Sequence, residues 1–331
     1  MEKRVFGKSN VEGSVIGLGT FAMGGGKWWG EFDEGLAEQT IVEMMDAGMN
    51  TLDTAPIYGL GRSEEIVGRA LKRMNRKDVV VCTKCGNWWH DVRGSRRKVD
   101  MYDVPIYKAL DRSTIREEVE YSLKRLGTDY IDVYYTHSQA EPPVMTTIEE
   151  TMSALMDLKK EGKILAIGAA NVSMWHLEEY VKWGQLDIIQ QKYSLLDRAI
   201  EKEIVPFCLE HNIAIQTYSV LEKGLLTGRY QRGTKVEAGN IREESPWFLP
   251  ENIEKPLDLL DGWKDLCEKY NCHVGNLVIA WTKQQPGITN VLCGARKPEH
   301  MRDNAVGGTF VIDEGDMARM NREIAEKIVL A

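Results

Sequence analysis

The chain has 331 residues, of which 43% are hydrophobic and 28% charged, a composition typical of a globular protein with a sizeable core. Its formal net charge of −8 argues against nucleic acid or an anionic membrane as a partner of the whole molecule. Met1 to Asn10 is polar, and no apolar run approaches the ~18 residues of a membrane span. We therefore expect a soluble cytoplasmic protein, and a homo-oligomer is one open alternative for its assembly.

Short apolar, β-branched runs alternate along the chain with longer helical patterns, as in a (β/α)8 or TIM barrel. The eight predicted strands are Val15–Leu18, Asn50–Asp53, Val79–Cys82, Ile131–Tyr135, Ile164–Ile167, Asp187–Gln190, Ile213–Gln216 and Asn290–Cys293. No linker, repeat or low-complexity tract interrupts this pattern. We therefore predict one α/β barrel domain over residues 1–331.

Two segments are longer than a barrel requires. They lie between Gly86 and Arg112, after the third predicted strand, and between Gly233 and Pro256, after the seventh. Extra length at these places enlarges the face at which barrel enzymes hold their sites. A threonine three residues before a glutamate predicts helix starts at Thr114 and Thr147. The last segment, Asp316 to Val329, is expected to form an additional helix outside the barrel.

The six cysteines are sparse for a chain of this length, and we expect them to be reduced thiols. Cys82 and Cys85 have the spacing of a CxxC pair. In a strand, however, an odd spacing points two side chains to opposite faces, and no second pair of ligands follows. We therefore predict core thiols and no metal site.

Charged and polar side chains end three neighbouring predicted strands. Asp53 ends the second, Lys84 ends the third and His137 ends the fourth, while Tyr58 lies in the Gly-rich turn after Asp53. Because the ends of neighbouring strands meet on one rim of a barrel, these four side chains are expected to converge. A single residue of this kind is more often a cap, an ion-pair partner or a satisfied polar group. Together they predict a proton-transfer site.

The residue types explain the chemistry. A phenol, with a pKa of ~10, donates a proton poorly at neutral pH unless its surroundings favour the phenolate. An adjacent ammonium does so, and a carboxylate holds the ammonium in place. A histidine beside a reacting carbonyl can polarise its oxygen or relay the proton.

Several motifs resemble those of the aldo-keto reductases, and they extend along almost the whole chain. They are Gly17-Leu-Gly-Thr20, Leu52-Asp-Thr-Ala55 with Tyr58-Gly59, Arg62-Ser-Glu-Glu65, Leu126 to Asp132 ahead of His137, Gly224-Leu-Leu-Thr-Gly228 and Gly294-Ala-Arg296. The resemblance implies a (β/α)8 barrel that uses NADP(H), with Tyr58 as general acid. Lys84 and Asp53 would tune this phenol, and His137 would orient the substrate. The chain most resembles the bacterial branch that includes inositol- and sugar-linked reductases.

The same resemblance implies a cofactor site at the C-terminal rim. The implied cofactor residues are Gly19, Thr20, Asp53, Asn171, Gln191, Tyr218, Ser219, Leu221, Gly224, Leu226, Gly294, Arg296, His300 and Asn304. Asn171 and Gln191 would hold the nicotinamide carboxamide, and Tyr218 would stack on its ring. Arg296 would meet the 2′-phosphate of NADPH, where a guanidinium can make bidentate contacts. The alternatives are NADH as cofactor and Arg296 as a solvated loop residue.

Four sites depart from the family pattern, and one of them is His300, which stands where arginine or glutamine is common. Ala170 replaces a usual serine, Val220 replaces a usual proline, and Ser138 to Ala140 replaces a turn that contains proline. These differences leave cofactor preference and pocket shape open.

Tryptophan pairs lie in two predicted rim loops, Trp28-Trp29 after the first strand and Trp88-Trp89 after the third. Trp29 and Trp88 are candidates for walls that face the apolar side of a sugar or cyclitol, with His90 and Asp91 binding its hydroxyl groups. The alternative is that these tryptophans only anchor long loops. The basic cluster, which comprises Arg93, Arg96, Arg97 and Lys98, is interpreted as a solvated loop face.

The sequence thus predicts an NADP(H)-dependent oxidoreductase that interconverts an alcohol and an aldehyde, ketone or keto-sugar such as an inosose. A polyol, sugar or keto-sugar is the expected substrate class. One alternative is a redox sensor or regulatory subunit that binds the cofactor with little turnover. Another is an isomerase or lyase that recycles tightly bound NAD(P). The physiological substrate, the reaction direction and the oligomeric state are left open.

Overall fold

The computed structural model describes residues 1–97 and 103–330. At its centre, eight parallel strands form a closed barrel in which each strand pairs with the next, and the eighth with the first. These strands are β1 (Ile16–Gly19), β2 (Thr51–Asp53), β3 (Val80–Cys85), β4 (Ile131–Thr136), β5 (Ile164–Ala170), β6 (Ile188–Lys192), β7 (Ala214–Tyr218) and β8 (Ile288–Gly294). The predicted (β/α)8 fold is confirmed.

Most of the strands extend further toward the rim than predicted. β3, for example, continues beyond Cys82 to Cys85, and all six of its residues are buried. The prediction stopped where the apolar runs stopped. The barrel also pairs and buries the residues that follow the apolar run, so β3 includes Lys84 near its end, as predicted.

A helix follows each barrel strand. These helices are α1 (Glu34–Glu43), α2 (Arg62–Leu71), α3 (Arg112–Leu126), α4 (Ile148–Lys160), α5 (Met174–Trp183), α6 (Ile204–His211), α7 (Val274–Lys283) and α8 (Pro298–Val306). Further helices are Gly26–Trp29, Glu254–Asp261, Lys264–Lys269 and Glu314–Lys327. Short 3-10 segments are Phe21–Gly24, Arg76–Asp78, Ala199–Glu201, Glu222–Thr227, Ile241–Glu244 and Pro246–Phe248.

One of the two predicted helix caps is displaced. Thr147 caps α4 as expected, because its side chain accepts from the backbone N–H of Glu150. α3 is capped by Asp111 instead of Thr114, since Asp111 Oδ1 accepts from Thr114 N at 3.0 Å. A carboxylate at this position also complements the positive end of the helix dipole.

The terminal segments close the fold. Strands Lys3–Val5 and Glu12–Ser14 form an antiparallel hairpin whose turn carries Phe6 and Val11 into a buried cluster with the first residues of several barrel strands. The hairpin, which the sequence did not predict, therefore covers the N-terminal end of the barrel. The expected C-terminal helix is present as Glu314–Lys327 and buries Met320 and Ile324.

The cysteines form no disulfide in this structure. Cys82 packs in the inner cluster beside Phe6, whereas Cys85 packs in the outer core against the helices. The two thiols of the CxxC pair thus occupy opposite faces of β3. Within residues 1–97 and 103–330, no helix is long and apolar enough to cross a membrane.

Candidate active site

The rim of β2, β3 and β4 brings together the four residues predicted for proton transfer. Lys84 Nζ donates to Asp53 Oδ1 and Oδ2 at 2.9 and 2.8 Å, to the backbone oxygen of Thr54 at 2.9 Å, and to Tyr58 Oη at 3.2 Å. Lys84 is fully buried, and Asp53 is 3% exposed. The ammonium therefore joins the carboxylate to the phenol in a site nearly free of solvent.

The turn after β2 fixes Tyr58. The residue after it, Gly59, has a φ of +69°, and a Cβ there would lie 2.5 Å from the backbone oxygen of Gly24. Only glycine fits this crossing of two chain segments. The Tyr58 ring packs 4.8 Å from the ring of Phe21, which holds it against the rim.

Burial and charge act in opposite directions on the ion pair. Burial raises the pKa of Asp53, and the Lys84 ammonium and the Gln190 amide oppose that shift. Burial by itself would lower the pKa of Lys84, but Asp53 and Tyr58 together raise it above its ordinary value. Lys84 is therefore a permanent cation at neutral pH.

His137 stands beside this group directly after β4. Its backbone N–H donates to the Cys85 oxygen at 2.8 Å, and its ring meets the Tyr58 ring edge-on at 5.8 Å. Burial, with smaller contributions from Lys84, Arg97 and Lys108, lowers the pKa of His137 well below its usual value. A neutral imidazole so placed can donate a hydrogen bond to a carbonyl oxygen.

A cavity of about 1010 Å³ opens at this rim. The predicted residues that line it are Gly19, Trp29, Asp53, Tyr58, His137, Asn171, Tyr218, Ser219, Leu221, Gly224, Gly294, Arg296, His300 and Asn304. The predicted residues outside its lining are Thr20, Lys84, Trp88, His90, Gln191 and Leu226. Lys84 contacts Tyr58 and Asp53 without lining the cavity itself. Thr20 and Leu226 are fully buried in the surrounding structure.

The glutamine at the end of β6 that faces the cavity is Gln190, not Gln191. Gln191 Nε2 donates at 2.6 Å to the backbone oxygen of Val172, the residue after Asn171, and Gln191 is not among the residues that line the cavity. Gln190 lines the cavity and donates to Asp53 Oδ1 at 2.7 Å. Because successive residues of a strand face opposite sides, one position decides which amide enters the site.

Tyr218 and Asn171 form a second rim contact. Tyr218 Oη donates to Asn171 Oδ1 at 2.7 Å, and Asn171 Nδ2 donates to the backbone oxygen of His137 at 2.8 Å. This bridge joins the ends of β4, β5 and β7 across the cavity mouth. Asn171 has a φ of +56°, so its backbone is held in a left-handed conformation that asparagine tolerates.

Cationic side chains line the cavity on the side of β7 and β8. The cations are Lys223, Arg229, Arg242, Arg296 and Lys297, and the neighbouring histidine is His300. Arg296 Nη1 donates to the backbone oxygen of Trp29 at 2.9 Å, and its guanidinium lies 5.6 Å from the centre of the Phe32 ring. No group of acidic, histidine or cysteine side chains suited to a metal ion occurs in the described part of the chain.

The two tryptophans proposed as walls differ in position. Trp29 lines the cavity and packs edge-on against Phe21, with ring centres 5.5 Å apart. Trp88 is 2% exposed, donates to Asp91 Oδ1 at 2.8 Å and lies under the guanidinium of Arg93. It anchors the long loop after β3, which was the alternative interpretation. His90 stacks on Tyr121 outside the cavity lining.

The basic cluster is not uniformly solvated, contrary to the interpretation from the sequence. Arg97 lines the cavity, and its Nη1 donates to Asn87 Oδ1 at 3.0 Å. Arg93 pairs with Asp91 on the outside of the loop. Lys98 lies outside the described residues. The cavity thus holds a guanidinium on the side of His137, in addition to those near β7 and β8.

Sequence reasoning missed the polar side chains inside the barrel. Gln190, Gln216, Asn290 and Tyr135 are all nearly or fully buried and hydrogen-bonded to one another. The available signal was the presence of amides within predicted core strands, where an unpaired amide would be costly.

Comparisons with known proteins agree with this architecture. The model of the aldo/keto reductase family matches residues 15–325. The chain is 46% identical to the NADH-specific methylglyoxal reductase of Escherichia coli (strain K12), over 99% of each chain. It is 36% identical to aldo-keto reductase YhdN of Bacillus subtilis (strain 168), over 90% of this chain and 86% of the relative. The structure of glycerol dehydrogenase AKR11B4 from Gluconobacter oxydans superposes with a TM-score of 0.87, at 32% identity, over 98% of this chain and 95% of that one.

Proposed function

The chain belongs to the aldo/keto reductase family and is an oxidoreductase, and we propose that it reduces a small carbonyl compound to an alcohol with a reduced nicotinamide cofactor. The observation that carries this proposal is the contact of Lys84 Nζ with both Asp53 and Tyr58 at one wall of the cavity. That arrangement suits a phenol that gives up a proton. A sensor with little turnover would not need to keep it.

The cavity suits a dinucleotide in charge and in polar groups. Two phosphates need cations and backbone N–H donors, and the loops after β7 and β8 provide six cationic or titratable side chains. Asn171 and Gln191, whose amide contacts the backbone beside Asn171, are the proposed partners of the carboxamide, and Tyr218 offers an aromatic face. A bound nicotinamide cofactor would supply the hydride.

Tyr58 is the proposed proton donor. Its Oη would protonate the substrate oxygen, and the Lys84 ammonium would stabilise the phenolate that remains. Asp53 keeps Lys84 charged and in place. His137, neutral because of its burial, would donate to the same carbonyl oxygen and fix its direction.

We propose as substrate a short carbonyl compound with an oxygen on the neighbouring carbon. This class includes 2-oxoaldehydes, hydroxyketones and the keto-sugars expected from the sequence. Arg97 and His137 provide two donors on one side of the cavity, and Phe21, Trp29 and Ile57 provide an apolar wall. Methylglyoxal, which names the Escherichia coli relative, is a member of this class.

Steady-state rates test the function. Oxidation of NADH and of NADPH would be followed with methylglyoxal, lactaldehyde, an inosose and propanal, the last as a matched aldehyde without the neighbouring oxygen. We expect turnover with methylglyoxal or lactaldehyde, with kcat/KM roughly tenfold or more above that of propanal, because propanal has no second oxygen to accept a hydrogen bond from the site. Cofactor binding without turnover on any carbonyl would contradict the reductase and favour the sensor or the recycling enzyme.

Arg296→Ala tests whether Arg296 binds the 2′-phosphate of NADPH. Because NADH has no 2′-phosphate, the substitution removes a charge-assisted hydrogen bond from NADPH alone. It should raise KM for NADPH about tenfold or more and leave KM for NADH within about twofold. NADH is the internal control for the missing hydrogen bond to Trp29. An equal rise with both cofactors, or a wild type that uses NADH alone as the name of the Escherichia coli relative suggests, would overturn this assignment.

A further inference from the structure

A buried carboxyl group holds the chain at the point where it leaves β3. Glu118, in the middle of α3, is 3% exposed, and its Oε2 accepts from the backbone N–H of Gly86 at 2.6 Å. Gly86 follows β3 directly and has a φ of +95°, a left-handed conformation that glycine adopts without strain. The backbone N–H at this turn is therefore satisfied by a side chain of the outer helix layer.

The surroundings of Glu118 favour its neutral form. Its other oxygen, Oε1, is buried and has no hydrogen-bond partner among the residues that the structure describes. Burial, with a smaller contribution from Glu64, raises the pKa of Glu118 to about 8. The N–H groups of Gly86 and Asn87 and the charge of Arg125 oppose this shift. A neutral carboxyl group accepts from Gly86 without the cost of a buried charge, and a glutamine at this position could do the same.

The residue after the turn connects it to the cavity. Asn87 is 2% exposed, and its Oδ1 accepts from Arg97 Nη1 at 3.0 Å. The next residue, Trp88, exchanges two backbone hydrogen bonds with Tyr107, at 2.8 and 2.7 Å. Asn87 is therefore held between two anchored residues, and its side chain in turn fixes the guanidinium of Arg97.

Arg97 lies on the same side of the cavity as His137. Both residues line the cavity, and the charge of Arg97 contributes to the lowered pKa of His137, which places the two side chains near each other. Under the proposed function they donate to the two neighbouring oxygens of the substrate. A guanidinium that moves would lose its contact, because a hydrogen bond depends steeply on distance and angle.

We propose that Glu118 is a positioning residue for substrate recognition, which holds Arg97 at the cavity through Gly86 and Asn87. The assignment rests on the proposed function, because it needs a substrate oxygen that accepts from Arg97. Glu118 itself is not among the residues that line the cavity. It therefore affects selectivity for the second oxygen and not the proton transfer by Tyr58.

Glu118→Met tests this assignment. The substitution keeps the length of the side chain and leaves the N–H of Gly86 without its acceptor. We expect kcat/KM for methylglyoxal to fall about tenfold, the equivalent of one hydrogen bond from a charged donor. The value for propanal, which has no second oxygen, and the Kd of the reduced cofactor should both stay within about twofold, because neither depends on Arg97.

Two further variants on the same helix are controls. Glu118→Gln keeps a neutral acceptor for Gly86 and should retain the wild-type kcat/KM for both substrates. Ser122→Ala removes a buried hydroxyl group one turn further along α3, which has no partner in the described part of the chain. It should also change neither value. Arg97→Met supplies a double-variant comparison, since Glu118→Met should add little to the loss that Arg97→Met already causes.

Asn87→Ala removes the acceptor of Arg97 directly and should lower kcat/KM for methylglyoxal in the same way if Glu118→Met does not fold. Equal losses with methylglyoxal and propanal, no loss with either, or an undiminished loss in the Arg97→Met background would overturn the assignment while the wild type remained a working reductase. A wild type that reduces no carbonyl, or reduces propanal as well as methylglyoxal, would instead refute the proposed function. The two failures are thus distinguishable.

Discussion

Tyr58→Phe is expected to lower kcat for carbonyl reduction by about 10²–10⁴-fold, the usual contribution of a positioned general acid. The substitution removes only Oη, the atom that accepts from Lys84 Nζ at 3.2 Å. Cofactor affinity should stay within about twofold, because no proposed phosphate or carboxamide contact involves Oη. Reductase assays with methylglyoxal and a fluorescence titration of the cofactor measure the two quantities separately.

The phenyl ring is its own control. It retains the packing of the Tyr58 ring against Phe21 at 4.8 Å and its edge-on contact with His137 at 5.8 Å. A large fall in rate therefore reports the missing hydroxyl group and not a collapsed pocket. A variant that kept more than roughly a tenth of the wild-type kcat would show that the proton comes from another group.

The fold and the four residues at the rim could be predicted because they follow from spacing. Each barrel strand buries an apolar run, and a polar residue that ends such a run is placed at the rim by the parallel pairing of the strands. Asp53, Lys84 and His137 end three consecutive runs, and the structure brings all three within one site. Their catalytic roles remain predictions.

The choice between Gln190 and Gln191 could not be made in this way. Both are glutamines at the end of the same strand, so composition does not separate them. A shift of one residue turns the other amide into the cavity. Long-range contacts determine which glutamine lines the cavity, because Gln190 hydrogen-bonds to Asp53 and Gln216, which lie in distant parts of the chain.

The loop after β3 shows a different limit of prediction from the sequence. Trp88 and Arg97 lie in a segment without periodicity, where sequence gives no inward or outward face. The structure buries the apolar Trp88 as an anchor and places the charged Arg97 at the cavity, whereas the sequence suggested Trp88 as a pocket wall and Arg97 as a solvated residue. Which side chain of a long loop reaches a site depends on how the loop packs, through contacts such as the bridge between Trp88 and Tyr107.

The Lys84–Asp53 ion pair affects the stability of the fold as well as the proposed proton transfer. Two buried charges are costly to desolvate, and their attraction together with the hydrogen bonds from Gln190 and to Thr54 offsets that cost. Removing one partner leaves the other charge uncompensated. The pair is therefore expected to be weakly stabilising when intact and strongly destabilising when broken.

Lys84→Met should lower the free energy of unfolding by about 3–5 kcal/mol at pH 8, the usual cost of a buried ion without its partner, besides abolishing most activity. Burial already holds the folded-state pKa of Asp53 above its unfolded value, and without the opposing Lys84 ammonium that pKa rises further. The penalty is then absent below the unfolded pKa of ~4 and grows as pH rises toward the folded value, above which it is complete. Denaturant unfolding at pH 5 and pH 8 should show a smaller loss of stability at pH 5 than at pH 8.

The double variant Asp53→Asn with Lys84→Met is the control. It should recover much of the stability at pH 8, since the amide carries no charge. Equal destabilisation of the single and double variants at both pH values would contradict the explanation.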